Sequence, residues 1–593
     1  MTTLLRFRAF LPVAIAIGFV ACTTSRDAFD GPGPPLVPQD EGGVDATPPD
    51  CAGHKCSRDL HSIVDGCTES VVRECGVGLG CAEGECVAAC DSVAAAQGSI
   101  GCSFWTSGPD VLLDTETSCF AAFIANTWDQ PANVTAELGS EALDISKSVY
   151  RAVPKPGGLI GYERIDGPIP PGEVGIVFLS QGEETPDTRY HIDCPPEVTV
   201  AHRGVVTDEH TTSIFKAFHL QTDVPVSAYS IFPYGGARGY SPSATMLRPA
   251  TSWDTSYLLV DGWRYQHRVG LGFPYVHIVA QEDTEVRLRP TADVVDGIGV
   301  TGGPKGSVVK WSLKRGEVLE LSQLESLSGS ALEADHPVAL FGGNQCVNLP
   351  DNEVACDNLH QQIPPVHQWS SAYSAVPYPS RRKSIQGAPK AAEEIIWQIV
   401  AANEGTILTY DPAPPTGAPR ALGAGQRAFF TTDRIFSVKS QDSSHPIYLA
   451  VYMTGSSLYS SLGDPDFVNI VPDDQFLDRY VFFADYTYSD TSLTLVRRKD
   501  KSGFHDVVVD CLGPVTGWQP LGTDGSTEYA WVTLTYGGQD VATPIGKCSH
   551  GRHEVTSTGP FGLYLWGIDA YASYGFPAGA GSRPTSPYTV EVQ

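Results

Sequence analysis

The sequence predicts an all-β protein in which a small disulfide-rich module precedes tandem β-sandwich-like repeats of about 110 residues. Three observations lead to this fold class. Eight of the 15 cysteines lie within residues 51–102, short β-prone runs fill the chain after about residue 103, and ordered landmarks recur at a spacing near 110 residues. A propeller-like arrangement of the same strands is the alternative architecture.

Short apolar runs set the β character of residues 103–593. Runs rich in Val, Tyr, Phe and Thr alternate with Gly, Pro and Asp, which are the residues of turns. The stretch "HIVAQEDTEVRLRP" predicts two strands joined by a Glu-Asp turn, and "GTILTYDP" and "YLAVYMTG" are of the same kind. Few segments have the period of a helix.

The repeats are defined by two landmarks that follow one another in the same order. "DVPVSAYSIFP", "DHPVALFGG" and "SHPIYLAVY" place Pro225, Pro337 and Pro446 at spacings of 112 and 109 residues. Each is followed by a block with a proline, an aromatic residue and a tyrosine at intervals of four: Pro249, Trp253 and Tyr257; Pro365, Trp369 and Tyr373; Pro472, Phe476 and Tyr480. We interpret these aromatic residues as core anchors rather than ligand contacts.

The repeats and the composition divide the chain into seven predicted segments. These are a signal peptide (1–21), a lipidated disordered tether (22–50), the Cys-rich module (51–102), a first β unit (103–224), and three β repeats (225–336, 337–445 and 446–593). Residues 23–50 are rich in Pro, Gly and Asp and have few apolar side chains to bury, which is typical of a disordered tether.

The N-terminus has the pattern of an export signal. Arg6 and Arg8 precede the apolar stretch 9–21, and this stretch is too short to span a bilayer. The ending "FVAC" resembles a bacterial lipobox, although Phe19 stands where Leu is usual. The resemblance implies that Cys22 is acylated, and Thr23 after it implies the outer membrane; secretion without a lipid is the alternative.

The cysteine count agrees with export. Removing Cys22 from the 15 cysteines leaves an even number, and disulfides persist outside the cytosol. By elimination, Cys119 is expected to pair with Cys194 and Cys511 with Cys548. The remaining cysteines of the module are expected to pair among themselves, although eight cysteines allow about 105 pairings and the connectivity stays open: Cys51, Cys56, Cys67, Cys75, Cys81, Cys86, Cys90 and Cys102.

The net charge disfavours polyanionic partners. The chain has 68 acidic and 39 basic residues, a formal net charge of −29. Binding to phosphates requires clustered Lys and Arg, so we expect no nucleic-acid partner, and contact with a membrane only through the lipid anchor.

The stretch "FGGNQCVNLPDNEVAC" could form a metal site, a reactive thiol or a disulfide-closed loop. Cys346, Cys356, His360 and His367 have ligand types that zinc accepts, but the gap between the cysteines is wider than the usual spacing of about two to four residues. His367 also lies in a repeated block. We therefore predict a disulfide between Cys346 and Cys356, with a zinc site or a reactive thiol as the alternatives. The stapled loop is also a place to look for ligand binding.

No enzyme motif is present in the sequence. H-E-x-x-H, G-x-S-x-G and the P-loop are all missing, so we predict no catalytic residues, no cofactor and no metal site. Two groups of carboxylates offer alternatives to this prediction. "DPDFVN", with the nearby aspartates, offers oxygen ligands for calcium but lacks the glycine and glutamate of a known calcium loop: Asp464, Asp466, Asn469, Asp473 and Asp474. Glu393 and Glu394 could serve a glycosidase only at a set separation.

The densest part of the sequence resembles a known family. The stretch "HPVALFGGNQCVNLPDNEVAC", the spacing P-P-x-x-x-W after it and "IIWQIVAANEGT" resemble the IgGFc-binding protein N-terminal domain family over roughly residues 215–590. Members occur in the large mucus protein that binds the Fc of immunoglobulin G and in bacterial surface lipoproteins. The resemblance implies an extracellular, non-catalytic binding or adhesion module; it does not imply that this chain binds immunoglobulin.

Taken together, these features predict a surface-tethered extracellular binding or adhesion lipoprotein without catalytic activity. Its ligand would be an extracellular glycan, a mucin-like chain or a protein, and its location the outer membrane, at the cell surface or on the periplasmic face. Two alternatives remain: a secreted hydrolase acting on polysaccharide, which needs two carboxylates about 5–10 Å apart, and a structural lipoprotein of the envelope.

Overall fold

The structure is a computed structural model. It describes residues 53–112, 115–155, 159–183, 191–205, 211–239, 241–266, 272–353, 356–384 and 393–592. The predicted signal peptide, the tether, Cys22 and Cys51 lie outside the described residues. Residues from Gly53 onward belong to one compact unit.

The predicted all-β class is confirmed, and the strands fall into a small N-terminal module and four larger units. The module contains β1 His54–Cys56, β2 Ser62–Asp65, β3 Val71–Glu74, β4 Leu79–Ala82, β5 Glu85–Ala88 and the helix α1 Ala89–Ala96. Unit 1 contains β6 Gly101–Thr106, β7 Phe120–Asn126, β8 Val134–Leu138, β9 Glu141–Leu143, β10 Val149–Lys155, β11 Leu159–Arg164, β12 Val174–Gln181, β13 His202–Arg203, β15 Phe218–Phe232 and β16 Ser243–Leu247. The intervening strand β14 Ser213–Lys216 pairs instead with the outer strand of the unit 2 sheet.

The next two units follow without a break. Unit 2 contains β17 Asp254–Leu258, β18 Pro274–Ala280, β19 Thr284–Arg289, β20 Val309–Leu313, β21 Glu317–Ser322, β22 Ala331–Val347 and β23 Asp357–Ile363. Unit 3 contains β24 Ala372–Ala375, β25 Ile395–Ala401, β26 Thr406–Ile407, β27 Thr409–Asp411, β28 Ala421–Leu422, β29 Arg427–Thr432, β30 Phe436–Lys439, β31 Ile447–Met453 and β32 Asp466–Asn469.

Unit 4 completes the fold. It contains β33 Leu477–Ala484, β34 Asp490–Arg498, β35 Val507–Val509, β36 Gly513–Pro514, β37 Gln519–Leu521, β38 Thr527–Tyr536, β39 Gln539–Thr543, β40 Gly546–Cys548, β41 Gly551–Asp569 and β42 Ala572–Pro577. Across the described residues, no helix is both long enough and apolar enough to cross a membrane.

Each unit contains the same antiparallel sheet of four strands. From the inside outward, the order is β16-β15-β7-β12 in unit 1, β23-β22-β18-β21 in unit 2, β32-β31-β25-β29 in unit 3 and β42-β41-β34-β38 in unit 4. We call the first strand of each sheet the inner strand and the second the long strand.

The four inner strands meet in a ring. β16 contacts β23, β23 contacts β32, β32 contacts β42, and β42 contacts β16 again. Gln361 lies across the ring, since its Nε2 donates hydrogen bonds to the Ala244 carbonyl of unit 1 at 2.8 Å and to the Gly575 carbonyl of unit 4 at 3.1 Å. The propeller-like alternative therefore describes how the four units are arranged.

The seam between unit 1 and unit 4 is closed by residues just before β6 and just after β42. The Ser582 amide donates to the Gln97 carbonyl at 2.7 Å, and the Ala580 amide donates to Ser99 Oγ at 3.2 Å. The Cys-rich module lies at the same seam. Its His61 ring packs 4.1 Å from the Trp128 ring of unit 1, while Arg58 forms a salt bridge with Asp478 of unit 4 at 3.2 Å.

The module itself is held by cross-links rather than by a core. The structure joins Cys56 to Cys81, Cys75 to Cys86 and Cys90 to Cys102, and Cys67 is disulfide-bonded as well. So short a segment buries little apolar surface, and disulfides take the place of a core by restricting the unfolded chain.

Each proline landmark lies where the chain, in or just before a long strand, changes the strands with which it pairs. In β15, Phe218–Thr222 pairs with β6 and β8, whereas Val226–Phe232 pairs with β7 and β16, and Pro225 lies between the two stretches. Pro337 lies at the equivalent place in β22, and Pro446 directly precedes β31. A fourth copy, Pro560 in β41, was not recognised in the sequence. Proline has no N–H to donate, so it fits where the strand changes partners.

The Pro–aromatic–Tyr blocks connect consecutive units. In each block the proline precedes a 3₁₀ turn, and the tyrosine hydroxyl donates to a carbonyl of the next long-strand segment. Tyr257 bonds to Val338 at 2.7 Å, Tyr373 bonds to Ile447 at 2.6 Å, and Tyr480 bonds to Phe561. The aromatic residues of these blocks are buried, as a role in the core requires: Trp253, Tyr257, Trp369, Tyr373, Phe476 and Tyr480.

Candidate binding face

The loops that join each long strand to its inner strand lie at one end of the ring. Their described residues are 233–239 with 241–242, 348–353 with 356, 454–465, and 570–571, and we call the end that they form the loop face. The loops contact one another through backbone hydrogen bonds. The Gly455 amide donates to the Leu349 carbonyl at 2.6 Å, and the Gly463 amide donates to the Asp569 carbonyl at 2.8 Å. The turn Gly236–Arg238 of the first loop contacts β42.

The second of these loops carries the cysteines that the sequence singled out. The structure joins Cys346 to Cys356 and does not bring the two histidines to them. His360 is buried, and its Nδ1 lies 3.0 Å from the Tyr275 hydroxyl, while His367 contacts Asp254. Burial holds the pKa of His360 well below its usual value. The four residues form a disulfide and two separate histidine contacts, not a metal clamp.

The residues before Cys346 form a buried joint. A Cβ on Gly342 would lie 1.8 Å from the Val260 carbonyl, and a Cβ on Gly343 would lie 2.2 Å from the Leu359 carbonyl, so both positions require glycine for close backbone approach. Asn344 follows, and its Nδ2 donates to the Trp263 carbonyl at 3.2 Å. The motif "GGNQC" therefore serves packing between strands.

Gln345 extends this joint to a buried pair of acids. Asp110 accepts hydrogen bonds from Gln345 Nε2 and from Ser322 Oγ, the latter at 3.0 Å, and it also bonds to Glu320. Burial, and then the Asp110 charge, raise the pKa of Glu320 well above its usual value. His277 lies 3.6 Å from Glu320, and burial lowers its pKa to about 3. The pair is closed off from solvent, so its role is structural.

A cleft opens on the loop face between unit 1 and unit 4. It consists of two adjoining cavities of about 580 Å³ and 590 Å³ that share Leu159, Ile160, Tyr486 and Thr487. The remaining lining of the first cavity is Tyr162, His191, Ile192, Asp193, Cys194, Pro195, Pro196, Glu197, Tyr234, Gly235 and Arg238. The second is further lined by Pro154, Tyr488, Ser489, Gly538, Gln539, Asp540, Lys547, Ser549, His550 and Asp569.

The walls of the cleft are held by specific contacts. Cys119 forms a disulfide with Cys194, which ties the Pro195–Pro196 wall to the start of β7. The hydroxyls of Tyr162 and Tyr234 lie 2.9 Å apart across the first cavity. At its rim, the side chain of Leu159 is 67% exposed at the start of β11. Rigid aromatic, proline and aliphatic side chains around a concave surface are typical of a protein-binding site.

The sequence did not single out these cleft residues. Leu159 and Tyr162 belong to the hairpin β10–β11, which lies inside the first β unit and has no counterpart among the quoted landmarks. Tyr486 lies between β33 and β34. The cleft surface is formed by residues of two units over 300 residues apart in the chain, which come together only when the ring closes. A local sequence pattern therefore cannot predict it.

The last predicted cysteine pair lies beside a group of possible metal ligands. Cys511 and Cys548 form a disulfide. Among the described residues, Asp510, Cys511 and His553 have ligand atoms within 4.8 Å of one another, but the sulfur is cross-linked and both His553 nitrogens have hydrogen-bond partners. This group therefore has no thiolate to offer a metal ion.

Neither the Glu393–Glu394 pair nor the aspartate-rich stretch forms a single group of ligands. Glu393 is buried and accepts hydrogen bonds from Arg381, including one from Nε at 2.9 Å, whereas Glu394 is exposed. Asn469 at the end of β32 bonds to Tyr448, while Asp473 and Asp474 in the following 3₁₀ turn accept from Ser374 and Ser370. Asp464 and Asp466 are buried at the start of β32.

Comparisons with known proteins give one family and one relative. A family model described as "IgGFc binding protein" matches residues 243–567, and this match confirms the predicted resemblance. The human protein "IgGFc-binding protein" is 22% identical over 425 residues, which cover 70% of this chain and 7% of the human protein. The chain thus spans about 7% of the length of this curated relative. No solved structure matches.

The buried acid pair makes a prediction about pH. Glu320 keeps its proton in the folded protein but ionises near pH 4.3 when unfolded, so the unfolded state binds fewer protons over this range. Stability should therefore fall as pH rises above this unfolded value, for as long as Glu320 stays protonated in the folded protein. In thermal melts, Glu320→Gln should flatten this dependence, and the exposed control Glu394→Gln should leave it unchanged. Equal pH profiles for wild type and Glu320→Gln would show that Glu320 ionises normally.

Proposed function

Because the chain belongs to the IgGFc-binding protein family, we propose that it is an exported binding or adhesion protein without catalytic activity, and that its ligand is a protein held in the cleft of the loop face. The observation that carries this proposal is the cleft between unit 1 and unit 4. Family membership supports a binding function, and the cleft is the proposed site of binding.

The chemistry of the cleft favours a protein ligand. Tyrosine and proline provide large, rigid contact surfaces that lose little conformational entropy on binding. Charged side chains occur around both cavities, including Arg238, Glu197, Asp540 and Lys547, and such a rim sets specificity more than affinity. The name of the human relative refers to the Fc part of immunoglobulin G. For this chain we infer only the class, protein, with Fc as one candidate to test beside glycans and mucins.

The anchoring proposal concerns the N-terminal residues. The basic and apolar stretches before Cys22 support export, and the resemblance of "FVAC" to a lipobox supports acylation at Cys22. The Pro- and Gly-rich residues 23–50 then act as a tether that holds the β units away from an outer membrane.

The binding proposal is tested with two cleft variants and a matched control. The soluble chain after the tether is applied to immobilised human Fc, mucins, glycans and extracellular proteins, and the dissociation constant is measured for each partner that binds. Leu159→Ser and Tyr486→Ala should weaken binding about tenfold or more, as loss of a buried anchor does. Leu324→Ser, at a residue 52% exposed and outside the cleft, should bind as wild type does.

Two results would count against the binding proposal. If no partner binds in this panel, the protein is not a binding protein of the proposed class. If a partner binds and the cleft variants keep wild-type affinity, the ligand lies on another surface.

The anchor is tested separately in cells that produce the full chain. Wild-type protein should incorporate labelled fatty acid and sediment with membranes, whereas Cys22→Ser should lose the label and appear in the soluble fraction. Thr23→Ser is the control and should stay anchored. Labelling that persists in Cys22→Ser would refute acylation at this residue.

A further inference from the structure

Three carboxylates lie buried at the loop-face end of two neighbouring inner strands. Asp357 is the first residue of β23, Asp466 is the first residue of β32, and Asp464 lies two residues before it. Their exposed fractions are 0% for Asp357, 1% for Asp464 and 0% for Asp466. Since β23 and β32 are adjacent in the ring, the three side chains belong to one region of the interior.

Nearly all of the oxygens of these carboxylates lack hydrogen-bond partners. Neither oxygen of Asp357 or Asp464 makes a hydrogen bond of normal geometry, and Oδ2 of Asp466 also makes none, although the backbone of Ser456 lies beside Asp464 and that of Gly575 beside Asp466. Oδ1 of Asp466 accepts from the Phe467 amide at 2.7 Å. An ionised carboxylate taken out of water without a partner costs several kcal/mol, so this arrangement needs a positive charge or a proton.

The protein itself supplies little positive charge here. Arg381 is the cation whose charge acts on Asp464, but its guanidinium is already bonded to Glu393 and to the carbonyls of Thr454 at 2.7 Å and Leu462 at 2.9 Å. Burial, and then the charges of the two other aspartates, raise the pKa of Asp357 well above its usual value.

Two hydroxyl groups near the carboxylates are also buried without a partner. Tyr488 is 1% exposed, its hydroxyl makes no hydrogen bond, and the charges of Asp357 and Asp466 act on it. Ser456 is likewise 1% exposed with an unpartnered Oγ, and its backbone amide lies beside Asp464. Protein interiors rarely leave so many adjacent polar oxygens unsatisfied, and a set made only of hard oxygen donors suits one kind of ligand.

We propose that these oxygens bind a Ca²⁺ ion at the loop-face end of strands β23 and β32. The ligand atoms of the three carboxylates do not all lie within 4.8 Å of one another, so the ion would take two of them and complete its shell with the hydroxyls and with backbone carbonyls. Ca²⁺ accepts about six to eight oxygens in irregular geometry, whereas Mg²⁺ requires a regular octahedron and zinc prefers nitrogen and sulfur.

The proposed ion would join two loops of the loop face. Asp357 directly follows the Cys346–Cys356 loop, and Asp464 closes the loop 454–465. These loops already share the hydrogen bond from the Gly455 amide to the Leu349 carbonyl. A cation between them would fix their spacing, in the way that an ion stabilises any fold that binds it only when folded.

The test uses the full chain after removal of divalent ions with EDTA. Equilibrium dialysis with radioactive Ca²⁺ should show one ion per chain, and Ca²⁺ should raise the melting temperature by several degrees. Mg²⁺ should bind at least tenfold more weakly. Asp357→Asn and Asp464→Asn should each lose the bound ion and the shift in melting temperature.

A control and a folding check keep the result interpretable. Asp473→Asn changes a buried aspartate of the same stretch that bonds to Ser374, and it should bind Ca²⁺ as wild type does. In EDTA, Asp357→Asn and Asp464→Asn should melt at or above the wild-type temperature, because asparagine is neutral where a buried aspartate without the ion must take up a proton. The proposal is overturned if wild type retains no Ca²⁺, if Mg²⁺ binds equally well, or if folded Asp357→Asn and Asp464→Asn bind Ca²⁺ as wild type does.

Discussion

Contact among the four inner strands is the constraint on which the rest of this structure depends. Each inner strand ends a sheet, and a sheet edge exposes backbone groups unless another element covers it. Here the neighbouring units cover it, and Gln361 reaches from unit 2 to backbone carbonyls of units 1 and 4. The units therefore stabilise one another, and the tyrosines of the Pro–aromatic–Tyr blocks fasten the first strand of units 2, 3 and 4 to the long strand of the same unit.

The ring also creates the surfaces that matter for function. Loops that are about 110 residues apart in the chain come together at one end, where short backbone hydrogen bonds join them. The cleft arises because the first and last units become neighbours, and the Cys-rich module lies across the same seam. The three buried aspartates belong to one region of the interior for the same reason, since β23 and β32 are neighbouring strands of different units. Binding and ion capture would thus both depend on ring closure.

Much of the fold could be predicted from local patterns. Strands and turns are each set by a few neighbouring residues, and the prolines recur within similar short motifs. Pro560 was missed because "GPFG" lacks the preceding acidic or histidine residue of the other copies. The cleft could not be predicted, since Leu159 and Tyr486 are distant in sequence. The sequence offers Asp464 and Asp466 as oxygen ligands, but Asp357 joins them only in the folded chain. Asp357 directly follows Cys356, and the sequence pattern around it indicates a disulfide rather than an ion ligand.

Native-state hydrogen exchange tests ring closure most directly. Amides of the inner strands β16, β23, β32 and β42 should lose protection together, with one free energy of opening and one dependence on denaturant, because no unit can open without uncovering its neighbours. Independent sandwich domains would behave differently. If the amides of any one unit exchange at a clearly lower free energy while the other three inner strands stay protected, the ring is not the cooperative structure described here.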